Sequence, residues 1–316
     1  MRIKGLTLIL SQRPIDFSKV RNLTDLAKHL PIDAYNLKKY IGAPDQRVFY
    51  RKLLIKKKNS KSQTKFRTVY KAELPLMFTH KYLETSMRTT HKFLPCVHGF
   101  VNRKSTRTNA SAHLNKKLLM NIDIENFFDS IRIDQVKNAL LKLGANRSVA
   151  LSLAKLCTIN GYLRQGLSTS PVLANIVCEE LDKDFLSLCH KHDCSYTRYA
   201  DDISISSNKA LPTKITISRV LKKYRFRLNN KKYKIQIKGH NQYVTGLTVS
   251  DKLYPRIPKR IKRQLRLVIH FVDRFGIANH FERRGIKLTD LSLRKFTNQI
   301  YGWMYYINAI EPTWAQ

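Results

Sequence analysis

Alternation of apolar and polar residues with a period of two predicts strands in the middle of the chain. Residues 195–199 and 203–207 are rich in Thr, Tyr, Ile and Ser, and they flank a short segment that contains Asp201 and Asp202. This pattern indicates a β-hairpin with both acids at its tight turn. An apolar run at residues 118–122 predicts a further strand, which closes on Asp123.

Helical spacing of apolar residues occurs in three segments. Residues 22–40 place leucines on one face and predict a helix near the start of the chain. Ser170 is expected to cap a helix that begins at Pro171 and runs to Leu188. After residue 251 the pattern is helical again, with two distinct faces. The apolar face is expected to comprise Ile261, Leu265, Val268, Ile269 and Val272, and the basic face Lys259, Arg260, Lys262, Arg263 and Arg266.

A cationic loop, residues 56–67, separates two more strand-like segments, residues 48–55 and 66–70. Together they predict a hairpin with a basic tip. Such a tip favours contact with a triphosphate or a nucleic-acid backbone, to which Arg67 can make bidentate contacts. A solvated surface is the simpler interpretation for any single lysine in the loop.

Composition points to a polyanionic partner. The 316 residues include 59 lysines and arginines against 22 acids, which gives a formal net charge of +37. A chain this basic repels itself unless it meets a polyanion, and its binding to nucleic acid should depend steeply on salt. Because hydrophobic residues still make up 43% of the chain, we expect a folded protein and not a basic disordered tail.

Cysteine usage and hydropathy bear on location. No segment reaches the roughly 18 apolar residues of a membrane span, and no small-residue cleavage site follows the short apolar run near Met1. Five cysteines without a CxxC pair fit reduced thiols. We therefore expect a cytoplasmic protein with no membrane partner. The Cys- and His-rich residues 189–194 are interpreted as a helix-to-strand connection and not as a zinc site.

Three carboxylates carry the candidate chemistry. Two adjacent ionised acids, Asp201 and Asp202, repel each other and are most readily stabilised by a divalent cation. Asp123, at the end of a neighbouring strand, supplies a third oxygen ligand of the kind that Mg²⁺ prefers. A pair of Mg²⁺ ions held in this way activates a 3′-hydroxyl and stabilises a leaving pyrophosphate. The predicted reaction is nucleotidyl transfer, whereas ordinary turn chemistry is the alternative for an isolated Asp-Asp pair.

The loop before Pro171 is a second candidate. Gly166 permits close backbone approach, and Gln165 offers an uncharged amide to an incoming nucleotide. Taken alone, this segment is equally compatible with a capped core helix.

The order of these features resembles the reverse transcriptases: a basic finger, Asp123 followed by Phe128, the loop at residues 165–171, and then Tyr-Ala-Asp-Asp at residues 199–202. The resemblance covers the chain from about residue 48 to its end. Two further elements mark bacterial retron reverse transcriptases. They are Asn-Ala-x-x-His at residues 109–113 and Val-Thr-Gly at residues 244–246.

The resemblance implies roles for individual residues. Asp123, Asp201 and Asp202 would be catalytic and would bind two Mg²⁺ ions together with the backbone carbonyl of Ile124. Phe128 would be the steric gate that excludes a ribose 2′-hydroxyl. The remaining substrate-binding residues would be Lys65 and Arg67 at the triphosphate, Gln165 near the sugar and base, and Lys232, with Lys231 as an equally plausible register. The basic face, Lys259, Arg260, Lys262, Arg263 and Arg266, would grip a duplex.

The implied fold is α+β and resembles a right hand. Residues 1–45 would form an N-terminal helical segment, and residues 46–250 the fingers and palm, with an antiparallel sheet that carries helices on one face. Residues 251–316 would form a helical thumb. His113 is expected to be structural, and Gly246 to supply a sharp turn.

The implied activity is RNA-directed DNA polymerisation by a retron enzyme. It would copy part of a structured noncoding RNA from a guanosine 2′-hydroxyl with deoxynucleotide triphosphates, and leave DNA joined to RNA in antiphage defence. Host RNase H would remove template, and an effector protein would complete the system. The alternatives are a group II intron-like, diversity-generating or freestanding reverse transcriptase, a palm-type nucleotide cyclase, and a non-catalytic RNA-binding protein with a polymerase fold.

Overall fold

The computed structural model describes residues 13–56 and 66–311. The chain begins with a short 3₁₀ helix, Phe17–Lys19, and two helices, α1 (Leu23–His29) and α2 (Ala34–Gly42). The prediction of one helix over residues 22–40 is therefore wrong. Pro31 disfavours helical backbone at the preceding residue, and Leu30 accordingly ends α1 with ψ of 150°.

A two-stranded antiparallel hairpin follows, formed by β1 (Tyr50–Lys56) and β2 (Phe66–Ala72). Its first strand starts at Tyr50, two residues later than expected, because a 3₁₀ helix, Gln46–Phe49, precedes it. The tip of this hairpin, including Lys65, lies outside the described residues.

The central sheet is antiparallel and has the order β4-β5-β3-β6. Its strands are β3 (Leu118–Asp123), β4 (Ser195–Tyr199), β5 (Asp202–Ser207) and β6 (Lys234–Ile237). Side chains alternate between the two faces. Met120 and Ile122 of β3 join Ile203 and Ile205 of β5 in the main core, so the predicted catalytic hairpin rests on a buried apolar surface.

Helices pack against this core face and connect the strands. They are α3 (Leu74–Thr90), α5 (Phe127–Ser130), α6 (Ile133–Lys142), α7 (Arg147–Cys157), α8 (Thr169–Val177), α9 (Glu179–Lys191) and α10 (Lys214–Lys223). The predicted helix over residues 171–188 is two helices interrupted at Cys178. Ser170 does not cap it, because α8 begins at Thr169 and the Ser170 hydroxyl donates to the Arg164 carbonyl at 2.7 Å.

The opposite face of the sheet is also covered, so the prediction of helices on one face is incomplete. Helix α4 (Thr106–Ser111) and a small hairpin, β7 (Tyr243–Val244) with β8 (Leu247–Thr248), lie there. Ala110 and Leu119 belong to a second core that these elements share with the C-terminal helices.

Two long helices complete the described chain, α11 (Lys259–Glu282) and α12 (Asp290–Ile310). Helix α11 is broken at Gly276, whose φ is 78°. Leu265 is buried as expected, but Ile269 is 40% exposed and does not belong to the buried face. Among the described residues, the helices lack the combined length and apolarity of a bilayer-spanning segment. The mixed helix-and-strand architecture confirms the α+β prediction.

Candidate active site

The three predicted catalytic acids meet at one end of the central sheet. Asp123 is the last residue of β3 and lies directly opposite Asp202, the first residue of β5. Asp201 lies in the two-residue turn before it, where Ala200 adopts a left-handed φ of 58°. The Ile124 amide donates to the Asp201 carbonyl at 3.0 Å and ties the turn to the end of β3.

Burial and mutual repulsion raise the pKa values of the turn acids. Desolvation, reinforced by the charge of Asp123, raises the pKa of Asp201. Asp202 remains accessible to solvent, yet desolvation, followed by repulsion from Asp201 and Asp123, raises its pKa to about 6. The cluster therefore concentrates negative charge that the protein compensates only in part, which is the electrostatic setting that favours a divalent cation.

Lys232 and Asn229 contact Asp123. The Asn229 side-chain amide donates to Asp123 Oδ1 at 2.7 Å, and the Lys232 ammonium contacts Oδ2. Desolvation opposes the charge of Lys232, but the bond to Asp123 and the three carboxylates outweigh it and raise the pKa of Lys232. Within the described residues, the hydrogen bond of Lys231 is a different one: its backbone amide donates to the side-chain oxygen of Asn229 at 3.3 Å. Of the two candidate lysines, Lys232 is therefore the one that contacts Asp123.

Sequence reasoning missed the part played by Asn229. It lies in the same Asn-Asn-Lys-Lys segment as the two candidate lysines. A short bridge between Ile124 and Leu228 brings this segment to the end of β3, and the Asn229 amide donates to the Asp123 carbonyl at 2.9 Å. This pairing depends on tertiary structure and leaves no periodic signal in the sequence.

Two cavities of about 410 Å³ flank the acids. One is lined by hydroxyl and amide groups of the sheet, helix α4 and the β7–β8 turn: Thr106, Asn121, Tyr199, Ser204, Tyr243 and Thr245, beside Asp202. The other lies between Asp123, Asp202 and the residues 231–234. Asp202 therefore borders open space on both sides, and Asp123 borders one of the two cavities.

The basic hairpin is docked on the loop that carries Gln165. The Tyr70 amide donates to the Gln165 carbonyl at 2.8 Å. A Cβ on Gly166 would lie 2.2 Å from the Tyr70 carbonyl oxygen, and its φ of 108° also favours glycine. Arg67 is exposed on β2, and its charge lowers the pKa of Asp201, opposing the effect of burial. Strand β2 therefore carries Arg67 towards Asp201 and is bonded at Tyr70 to the loop that holds half-buried Gln165.

Phe127 and Phe128 have different environments. Phe127 is 4% exposed and packs near Phe226, with ring centroids 5.7 Å apart. Phe128 is half-buried, and its ring lies 5.2 Å from that of Phe127. Asn126 precedes them with a left-handed φ of 49°, which turns the chain out of β3 into α5. Of the two rings, Phe128 is the one available to a substrate.

The Asn-Ala-x-x-His segment (residues 109–113) and the Val-Thr-Gly segment (residues 244–246) contact each other near Asp202. The Asn109 side-chain amide lies 3.5 Å from the Thr245 hydroxyl, which donates to the Thr106 carbonyl at 3.3 Å. Gly246 has φ of 84° in the β7–β8 turn, as expected for a sharp turn.

His113 has the structural role expected of it. Its two ring nitrogens lie 2.7 Å from the hydroxyls of Ser206 and Thr197, and burial lowers the pKa of His113 to about 3.

The predicted basic face of α11 is only partly exposed to solvent. Lys259, Arg260 and Arg263 are exposed, and Arg266 is exposed as well. Lys262 is different, because its side chain is 14% exposed and its ammonium lies 2.8 Å from Glu311. Glu311 also accepts from the Ile257 amide at 2.6 Å. Lys262 therefore joins the two ends of the C-terminal helical pair, whereas its four basic neighbours on the predicted face are exposed.

Comparison with known proteins identifies the family. The profile of the family described as reverse transcriptase (RNA-dependent DNA polymerase) matches residues 55–263, which is more than half of the chain. The chain belongs to the reverse transcriptase family. The prediction of an enzyme, an RNA-directed DNA polymerase, is thereby confirmed.

Similar curated proteins are retron reverse transcriptases. This reverse transcriptase is 28% identical over 263 residues to the retron Ec86 enzyme of Escherichia coli, covering 82% of this chain and 81% of the relative. It is 33% identical over 208 residues to the retron Mx162 enzyme of Myxococcus xanthus, covering 55% of this chain and 43% of that longer relative. The retron Ec73 enzyme of Escherichia coli is 25% identical, with 80% and 82% covered. The resemblance to bacterial retron reverse transcriptases is confirmed.

The three acids of this reverse transcriptase have the donor chemistry that suits a hard cation. In residues 13–56 and 66–311, no group of three or more His, Cys, Asp or Glu side chains is already arranged as a metal site. The Asp123 carboxylate instead contacts Asn229 and Lys232. The three acids nevertheless offer only oxygen ligands, which suits Mg²⁺ and not a softer ion.

Proposed function

We propose that this protein is the RNA-directed DNA polymerase of a retron, which copies part of a structured noncoding RNA into RNA-linked single-stranded DNA. The observation that carries the proposal is the pairing of Asp123 with Asp202 at the sheet end that also holds Asp201. The names of the similar proteins support the retron assignment. Priming from a guanosine 2′-hydroxyl and a role in antiphage defence are parts of the same proposal.

Asp123, Asp201 and Asp202, with the Ile124 carbonyl, are the proposed ligands of two Mg²⁺ ions. When bound, the ions would lower the pKa of the attacking hydroxyl and stabilise the leaving pyrophosphate. The protein's own contribution is to hold the acids at one sheet end and to orient Asp123 through Asn229. Lys232 supplies a positive charge beside the carboxylates, where it can also interact with a phosphate group.

Substrate selection is assigned to the groups around the acids. Arg67, with Lys65 of the hairpin tip, would bind the triphosphate, and Gln165 would contact the sugar or base. Half-buried Phe128 would be the gate against ribonucleotides, since Phe127 is occupied with core packing. The docking of β2 on the Gln165 loop supports a shared nucleotide site.

The right-hand description divides the chain into three proposed parts. On this proposal residues 1–45 would be an N-terminal helical segment, residues 46–250 the fingers and palm, and residues 251–316 the thumb. Exposed cations on the first two turns of α11 would contact phosphates of the template-primer duplex. These are Lys259, Arg260, Arg263 and Arg266.

Partners follow from the same proposal. The template-primer is a structured RNA, the product is DNA covalently linked to it, and host RNase H would remove the copied template. A defence effector would bind the complex. Five free cysteines fit a cytoplasmic location, which is proposed with the rest.

The test is the product itself. Purified protein, its cognate RNA, Mg²⁺ and deoxynucleotide triphosphates should yield DNA that stays attached to RNA under denaturing conditions and is released by a debranching nuclease. DNA that separates from the RNA on denaturation alone would refute 2′-hydroxyl priming while retaining reverse transcription. Absence of any DNA product would refute the retron polymerase itself.

A further inference from the structure

A charged group lies fully buried directly behind the catalytic turn. Arg198 of β4 is 0% exposed and heads the fully buried side chains of the described chain by volume. Its Nε and Nη2 atoms each donate to the Asp182 carboxylate at 2.7 Å, and Asp182 is equally buried. The Tyr196 hydroxyl donates to the same carboxylate at 2.6 Å. Removing such a charged pair from water costs free energy, and apolar side chains of similar volume often stabilise a core equally well.

The remaining guanidinium nitrogen is directed at the turn. Arg198 Nη1 donates to the Asn175 side-chain oxygen at 3.0 Å and to the Ala200 carbonyl at 3.2 Å. Ala200 is the residue with left-handed backbone immediately before Asp201. A non-glycine residue in this conformation needs support from its surroundings. Arg198 supplies that support from the core side of the sheet.

Asn175 extends the support to a second segment beneath the turn. Its side-chain amide donates to the Gly99 carbonyl at 2.8 Å. A Cβ on Gly99 would lie 2.5 Å from the Ala200 nitrogen, so the two backbones are in close contact. The Arg198 backbone also pairs with this segment, since its amide donates to Cys96 and its carbonyl accepts from His98. The guanidinium, Asn175 and Gly99 together enclose the Ala200 peptide.

We propose that Arg198 is a positioning residue for metal binding: its buried guanidinium, neutralised by Asp182, fixes the Ala200 carbonyl and thereby the carboxylates of the catalytic turn. The inference rests on the proposed metal-dependent function. It explains why a charged group is kept in this position, because an apolar core would leave the Ala200 carbonyl without this donor. Ala200 and Asp201 form the two-residue turn that leads into Asp202, so the orientation of the Ala200 peptide bears directly on the position of both carboxylates.

Variants can separate positioning from simple core stability. Tyr196→Phe removes one hydrogen bond to Asp182 and leaves the interaction with Ala200 intact, so it serves as the matched control. Tyr196→Phe combined with Asp182→Leu and Arg198→Met removes both buried charges and the donor to Ala200. Replacing both members of the pair avoids an uncompensated buried charge, so this triple variant should still fold. Phe185→Leu, in the core beside Tyr196, provides a comparison for reduced stability at a position that does not touch Ala200.

The readout is binding of Tb³⁺, an oxygen-preferring probe whose luminescence is sensitised by nearby tyrosine. The Tb³⁺ luminescence that is lost in the double variant Asp201→Asn with Asp202→Asn is taken as the signal from the site. Relative to Tyr196→Phe, the triple variant should bind Tb³⁺ about tenfold more weakly, and its Mg²⁺ midpoint for DNA synthesis should rise by a similar factor. The apparent KM for RNA should not change. Phe185→Leu should lower the melting temperature without this loss of ion affinity.

The outcomes distinguish the two proposals. If the wild-type protein shows neither the acid-dependent Tb³⁺ signal nor DNA synthesis, the proposed function fails. If the wild-type protein shows both and the triple variant matches Tyr196→Phe in ion affinity, the positioning role is refuted. A triple variant that does not fold is replaced by Arg198→Lys, which keeps the charge but lacks the fork that reaches Asp182 and Ala200 together. Wild-type ion affinity in that variant would overturn the proposal equally.

Discussion

Two adjacent aromatic side chains after the end of β3 divide into one that builds the core and one that stays partly exposed. Phe127 and Phe128 are adjacent in sequence, yet only Phe127 is fully packed. Asn126, with its left-handed backbone, sets this division by redirecting the chain at the start of α5. A substitution at each ring should therefore have a different consequence.

We expect Phe128→Ala to admit ribonucleotides, because the ring proposed as the wall beside the sugar is removed while Phe127 still fills the core. The measurement is kcat/KM for a deoxynucleotide divided by that for the matching ribonucleotide. Phe127→Ala is the control; it should reduce the free energy of unfolding by about 3–5 kcal/mol without a comparable change in sugar selectivity. Unaltered selectivity in Phe128→Ala would assign the gate elsewhere.

A second residue-scale prediction compares two neighbouring lysines. Lys232→Met should reduce DNA synthesis by about tenfold or more, since it removes the cation that contacts Asp123. The pKa of Asp202 should rise further, because Lys232 lowers it. Lys231→Met removes the same charge from the next position and should have a much smaller effect. Equal decreases in both variants would show that general charge, and not the interaction with Asp123, is what matters.

At the scale of elements, the packing of the β1–β2 hairpin on the Gln165 loop depends on a glycine. Gly166→Ala should separate these two elements, because the new Cβ would collide with the Tyr70 carbonyl. We expect the apparent KM for deoxynucleotides to rise by about tenfold, which corresponds to about 1.4 kcal/mol of binding free energy.

Gly239 provides the matched control for this prediction. It has a similar backbone, with φ of 99°, but an added Cβ would meet nothing within 4 Å. Gly239→Ala should cost only backbone strain, about 1–2 kcal/mol of stability, with an unchanged KM. A normal KM in Gly166→Ala would contradict the proposal of a shared nucleotide site.

Elements with a regular pattern were predictable from the sequence. Strands β4 and β5 show alternation and β3 is a short apolar run, so all three appear directly in the residue order. This is why Asp123 could be expected beside Asp201 and Asp202. The predicted helices were longer than the real ones, because a period of 3.6 does not reveal the breaks at Pro31 and Cys178.

Features that depend on distant partners could not be read from the sequence. Lys262 resembled its basic neighbours, but Glu311, far along the chain, pairs with it. Arg198 appeared as one more strand residue, and only the folded sheet brings it to Asp182 and Asn175. Asn229 likewise meets Asp123 because of an isolated bridge. Side-chain pairing across the fold leaves no periodic trace.

At the scale of the whole molecule, a net charge of +37 makes association with nucleic acid strongly dependent on salt. Arg260→Ala with Arg263→Ala should reduce the slope of log affinity against log salt by about one for each phosphate that the protein no longer neutralises. Lys262→Ala is the contrasting variant. It should leave that slope unchanged and lower the free energy of unfolding by about 3 kcal/mol, because Glu311 is left without its cation. A reduced slope in Lys262→Ala would return this residue to the nucleic-acid surface.

The proposed reaction depends on the carboxylates at the end of the central sheet, so the most direct measurement is DNA synthesis by Asp201→Asn with Asp202→Asn. These amides keep the size of the side chains and remove the charge that would bind Mg²⁺. RNA binding, measured in parallel, should equal that of the wild-type protein, while RNA-templated DNA synthesis should disappear. Synthesis at the wild-type rate by this double variant would contradict the account.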